Sequence, residues 1–217
     1  MTPAEQSRAA ERICRLAPVV PVLVLSDAGL AAGLARALVA GGLPALEVTL
    51  RTPAALDAIR AMSEVEGGVV GAGTLLTPAD VKAAKAAGAQ FGVSPGATDR
   101  LIGACEDEGL PLLPGAVTAT EVMVLLERGY DVQKFFPAES VGGAAALKAL
   151  GAPIPQVRFC PTGGISPANV GDYLSLRTVL CVGGSWVAPA DAIAARDWAR
   201  IEALARQAAA RSPGATG

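Results

Sequence analysis

A short β-branched or glycine-ended apolar run, followed by an Ala- and Leu-rich stretch, recurs through eight cycles of this chain. Alternation of that kind specifies parallel strands joined by crossover helices. Strands are predicted over 19–25, 45–50, 69–74, 91–94, 111–114, 132–136, 156–161 and 179–182, with helices filling the gaps. Helix starts are marked by Ser26-Asp27, Thr52-Pro53, Thr77-Pro78 and Ser166-Pro167, which pair a capping side chain with a compatible first turn. An extra helix over 3–16 precedes the first strand, and a last helix runs over 190–210. The Ser-Pro-Gly-Ala-Thr-Gly ending, 212–217, reads as a frayed, disordered tail.

Eight such units can form an open sheet or a closed one. A doubly wound sheet places a Gly-x-Gly-x-x-Gly turn after its first strand, and Leu25-Ser26-Asp27 offers none. The expected fold class is therefore α/β, a (β/α)8 TIM barrel with an extra N-terminal helix. It forms a single domain over 1–217, a length at which one core suffices. Working residues in that fold gather at the C-terminal strand ends, and phosphate commonly binds in the loops after strands seven and eight.

Composition narrows the chemistry. The chain has no histidine, so the commonest general base, serine activator and zinc ligand are missing, and catalysis falls to Lys, Glu, Thr and backbone. The 18 basic and 20 acidic residues form no basic cluster, which argues against nucleic acid or an anionic membrane and for a small-molecule partner. The apolar stretches are short and broken by Pro18, Pro21, Asp27, Arg36 and Pro44, unlike a membrane span. No secretory signal is visible, so a cytoplasmic location is expected. Cys14, Cys105, Cys160 and Cys181 show neither close pairing nor metal spacing and read as buried structural thiols. No metal or cofactor is expected.

Lys134 stands inside Asp-Val-Gln-Lys-Phe-Phe-Pro, 131–137, the one lysine of four in a predicted strand. An amine in such a place sheds its desolvation cost by losing its proton, which leaves a neutral nucleophile able to form an imine with a ketone. In the second strand Leu46, Val48 and Leu50 share one face, and Glu47, Thr49 and Arg51 share the other. The apolar face must meet the helices, so Glu47, Thr49 and Arg51 are predicted to point into the barrel and rise toward its C-terminal rim. A purely internal ion pair of Glu47 with Arg51 or Lys134 is the structural alternative. Thr74 and Thr162 are hydroxyls at strand exits, each able to serve instead as a local cap. Phe136 shares the Lys134 face and offers an apolar wall, or ordinary core.

Two Gly-Gly turns occupy the expected phosphate loops: Gly163-Gly164 after strand seven and Gly183-Gly184-Ser185 after strand eight. Glycine lets backbone N–H groups converge on an anion without obstruction by a Cβ. Gly67-Gly68 and Gly142-Gly143 read as ordinary turns.

Glu47-Val-Thr-Leu-Arg51-Thr, Gly71-Ala-Gly-Thr74, Phe91-Gly-Val-Ser-Pro95-Gly, Lys134-Phe-Phe-Pro-Ala-Glu139, Arg158-Phe-Cys-Pro-Thr-Gly-Gly-Ile-Ser166 and Gly183-Gly-Ser-Trp186 together resemble the 2-keto-3-deoxy-6-phosphogluconate (KDPG) aldolase / 4-hydroxy-2-oxoglutarate aldolase family over about 15–205. The resemblance implies a metal-independent class I lyase of the Entner-Doudoroff pathway, a homotrimer, with Lys134 as the Schiff-base lysine and Glu47 as its acid and base. It implies a 2-keto acid substrate, usually phosphorylated. It sets Arg51, Thr74 and Thr162 around the pyruvate carboxylate, Pro95 and Phe136 in the pocket wall, and Gly163, Gly164, Gly184 and Ser185 in the phosphate region. The alternatives are the related 2-dehydro-3-deoxy-6-phosphogalactonate aldolase, which resembles the chain less at the second strand, a phosphosugar epimerase, and a non-catalytic phosphosugar-binding barrel. None of these last two needs a covalent lysine.

Overall fold

The computed structural model describes residues 1–211; the tail expected to fray lies outside them. Helix α1 (Pro3–Cys14) opens the chain, and the strands are β1 (Val19–Leu23), β2 (Ala45–Thr49), β3 (Val69–Gly73), β4 (Phe91–Val93), β5 (Leu112–Leu113), β6 (Gly115–Ala116), β7 (Val132–Phe135), β8 (Arg158–Pro161) and β9 (Val182–Gly184). Between them run α2 (Ala31–Ala40), α3 (Ala55–Ser63), α4 (Pro78–Ala86), α5 (Asp99–Glu108), α6 (Ala119–Arg128), α7 (Gly143–Gly151) and α8 (Val170–Leu174), and α9 (Ala190–Ala194) and α10 (Trp198–Ala209) follow. Among the described residues no helix is long and apolar enough to cross a membrane.

The strands form a curled, parallel arrangement in two sheets, of order β5-β4-β3-β2-β1-β9 and β6-β7-β8. This corrects the expectation of eight strands in one closed ladder. The fifth predicted strand, 111–114, is followed past Pro114, which has no N–H to donate, by a further short strand, and the two pair with different sheets: Leu113 with Val93 and Gly115 with Lys134. At the other seam the chain around β8 and β9 is joined by two isolated parallel bridges, Phe159 to Val179 and Thr162 to Gly183. The eighth strand is correspondingly later than predicted, Val182–Gly184.

Two of the four predicted helix caps form as expected. Thr77 makes a reciprocal capping box with Asp80, and Asp27 caps a single 3-10 turn ahead of α2 by accepting from Gly29 N–H. Thr52 instead donates to the Leu25 carbonyl, and α3 starts three residues later. Ser166 caps only a turn, accepting from Ala168 N–H. The predicted 190–210 helix is broken into α9 and α10 at Arg196, whose φ of 55° is left-handed, and Asp197 recaps the chain by accepting from Arg200 N–H.

Apolar side chains separate into two layers. The larger lies between the strands and the helices and includes Leu23, Leu46, Val48, Phe135 and Phe159. The smaller lies inside the curl and joins Val20, Ala45, Phe91, Val93, Leu113 and Val132 to Ala10 and Cys14 of α1. Helix α1 is seated at the strand starts by buried polar side chains. Gln6 Oε1 accepts from Leu112 N–H and from the Tyr130 hydroxyl, and Ser7 Oγ accepts from the N–H groups of Asp131 and Val132. Satisfying those strand-start amides is what holds the helix across the N-terminal end.

Candidate active site

Strand alternation brings Lys134 of β7 and Glu47 of β2 into the interior, both buried. Lys134 Nζ lies 3.5 Å from Glu47 Oε1. Burial pushes the Glu47 carboxyl above the ordinary glutamate range, against the pull of the Lys134 ammonium. Glu47 Oε1 has no hydrogen-bond partner among the described residues, and a buried carboxylate oxygen left in that state is held there by its surroundings at a cost. The room for it comes from β3. A Cβ on Gly73 would lie 2.2 Å from Glu47 Oε1, and one on Gly71 would lie 2.4 Å from the Phe91 ring.

The other predicted residues sort by strand geometry. Thr49 is buried and donates to the Leu23 carbonyl at 3.0 Å, which ties β2 to β1. Arg51 lies past the end of β2, which stops at Thr49; the chain turns there and Arg51 is exposed. Thr74 follows β3 directly in a left-handed conformation, φ 62°, which is unfavourable for a β-branched residue and places it on the turn rather than in the ladder. Pro95 is half-buried after β4, and a Cβ on Gly115 would lie 2.3 Å from its carbonyl oxygen, so the β4 exit runs hard against β6. Phe136 lies with its ring centroid 5.1 Å from Lys134 Nζ, an apolar wall with its negative face toward the amine. Thr162 is buried at the β8 exit, bridged to Gly183.

Gly163 and Gly164 have φ of 106° and 78°, a turn that only glycine adopts readily. No backbone carbonyl among the described residues accepts from the N–H groups of Gly163, Gly164 or Ser185. Gly184 is buried beside Trp186, where a Cβ would lie 1.9 Å from the indole. The Thr162 to Gly183 bridge sets both glycine turns side by side at the strand exits.

Three roles escaped the sequence reading. Gly73 and Gly183 make space for Glu47 and Thr162 respectively. Glu139 props the first glycine turn: its N–H donates to the Gly163 carbonyl at 3.0 Å, and its carboxylate accepts from the Tyr173 hydroxyl. A glycine directly opposite a long inward side chain is the signal that could have found the first two.

Known proteins place this arrangement in context. The profile of the KDPG and KHG aldolase family matches residues 10–204. The KHG/KDPG aldolase of Escherichia coli (strain K12) is 54% identical over 200 residues, 92% of this chain and 94% of that one. The crystal structure of the 2-keto-3-deoxy-6-phosphogluconate aldolase of Zymomonas mobilis ZM4 with 3-phosphoglycerate superposes with a TM-score of 0.92 at 50% identity, covering 97% of this chain and 100% of that one. The KDPG aldolase of Legionella pneumophila, with pyruvate captured at low pH as a covalent carbinolamine intermediate, gives a TM-score of 0.89 at 43% identity over 92% and 98% of the two chains. With matches that span nearly the whole chain and agree in sequence and in backbone, this protein belongs to the KDPG and KHG aldolase family.

Proposed function

We propose that the chain is a class I, Schiff-base aldolase that cleaves 2-keto-3-deoxy-6-phosphogluconate to pyruvate and glyceraldehyde 3-phosphate, and 4-hydroxy-2-oxoglutarate to pyruvate and glyoxylate. The observation that carries this reading is the buried Lys134–Glu47 pair, 3.5 Å apart inside the curl and walled by Phe136. Family membership supplies the substrate class.

Lys134 Nζ attacks the C2 ketone to give a carbinolamine, and loss of water, with Glu47 moving the protons, gives an iminium cation. That cation is the electron sink. Glu47 then takes the C4 hydroxyl proton, the C3–C4 bond breaks into the iminium to give an enamine, and the aldehyde leaves. Glu47 returns the proton to C3, and water hydrolyses the imine to release pyruvate and Lys134. A carboxyl whose affinity for protons is raised by burial suits both directions of transfer.

Thr74, Thr162 and Arg51 take the substrate carboxylate in this reading. Pro95 and Phe136 shape the wall, and the N–H groups of Gly163, Gly164 and Ser185, in turns that include Gly184, take the phosphate. No metal or other cofactor enters any step. The strands are taken to close as a (β/α)8 barrel in one domain, with Pro114 and the β8–β9 bridges as its two loose seams. Assembly as a homotrimer and a cytoplasmic place in the Entner-Doudoroff pathway follow from the family resemblance. Exposed Met123 and Val124 on α6 offer apolar surface for such an assembly.

Borohydride reduction in the presence of pyruvate tests the central step. Peptide mass spectrometry should find one reduced pyruvyl group, on Lys134; an unmodified Lys134 in active protein rejects the imine route.

A further inference from the structure

Cys14 in the last turn of α1, Cys160 of β8 and Cys181 just before β9 come together inside the curl, their sulfurs all within 4.8 Å of one another. All three are buried and unoxidised. Nothing in the aldol chemistry uses them. We propose that these three thiols form a trithiolate site for a single soft, thiophilic d10 cation, Cu(I), at the closed end of the interior.

The donor set selects the ion. Three sulfurs and no imidazole disfavour calcium and magnesium, which require oxygen ligands, and structural zinc completes a fourth position. Cu(I) is soft, prefers thiolate, and is content with three of them in a plane. The sulfur separations fit donors that share one central ion, and a small enclosed cavity bordered by Cys14, Cys160, Val20, Phe91 and Glu47 adjoins them. One Cu(I) and three thiolates leave two negative charges, and Lys134 is the register partner of Cys160 across β7 and β8.

Binding displaces the thiol protons to solvent as the three copper–sulfur bonds form, with no change of oxidation state. Entry requires a local opening of α1, the helix that carries Cys14 and is seated at the strand starts through Gln6 and Ser7.

The test is an anaerobic titration of the reduced, intact chain with Cu(I) in the presence of the competing chelator bicinchoninate, followed by gel filtration and metal analysis. One copper per chain is expected, with a thiolate-to-copper ultraviolet band that saturates at one equivalent. Cys14→Ala and Cys181→Ala, each checked for fold by circular dichroism, should retain none, whereas Cys105→Ala, which lies outside the cluster, should retain one. Failure of the intact chain to hold copper overturns the proposal, as does undiminished retention in both Cys14→Ala and Cys181→Ala.

Discussion

Lys134 Nζ and Glu47 Oε1 face each other at 3.5 Å although their strands belong to different sheets. An ion pair made only for stability would gain little here, because taking both charges out of water offsets most of their attraction. The pair is better understood as a nucleophile and a proton carrier held at working distance. Glu47→Gln is therefore expected to lower kcat by roughly 10²–10⁴-fold. The ionised carboxylate is the active form, and burial raises its affinity for protons, so activity falls as pH drops through a limb above the ordinary glutamate range. Rates against pH for both proteins check this; an acidic limb that persists unchanged in Glu47→Gln would assign it to another group.

Gly73→Ala should act on the same carboxylate without touching it chemically. The added methyl would lie 2.2 Å from Glu47 Oε1 and 2.7 Å from its Cγ, so the side chain must move. Overpacking of this kind costs about 1–3 kcal/mol in stability. The expected signature is a fall in kcat while borohydride with pyruvate still labels Lys134. A variant with normal kcat would show that Glu47 has no fixed position to lose.

Arg51 is exposed past the end of β2, where a guanidinium can reach a substrate carboxylate. Losing one charge-assisted pair of about 1.5–3 kcal/mol translates to a drop of about tenfold to a hundredfold in kcat/KM for Arg51→Ala. Steady-state kinetics decide the matter, and the thermal midpoint should stay unchanged because no buried group depends on Arg51.

Ser7→Ala removes the acceptor shared by the amides of Asp131 and Val132. Leaving buried donors without a partner costs about 1–3 kcal/mol. Urea denaturation should show a lower midpoint with an unchanged slope, and kcat for the folded protein should hold, because Ser7 is at the opposite end of the strands from the glycine turns.

Much of this site was legible from strand period alone. The alternation of β2 placed Glu47 and Thr49 inside, and the lone strand lysine placed Lys134. Arg51 follows in a turn two residues past the end of β2, where strand alternation no longer says which way a side chain points. The division at Pro114 was available in the sequence, since proline cannot donate to a ladder, yet a four-residue apolar run gave no reason to look for two pairings. The thiol cluster was hidden by a local loss of period. Leu180 and Cys181 both belong to the inner layer while Val179 and Val182 belong to the outer one, so no count by twos puts Cys181 beside Cys160.

The seat of α1 also sets an order of events during synthesis. Ser7 and Val132 are 125 positions apart, and Gln6 meets Leu112 at a separation of 106. A helix emerging from the ribosome with those contacts still untranslated has nothing to dock on, and by itself a segment this short is only marginally helical. It must wait, half-formed, while the strands that will carry it are made. Helix α1 is thus locked only after the start of β7 has been made, and chaperones meeting the nascent protein before then would find it still loose.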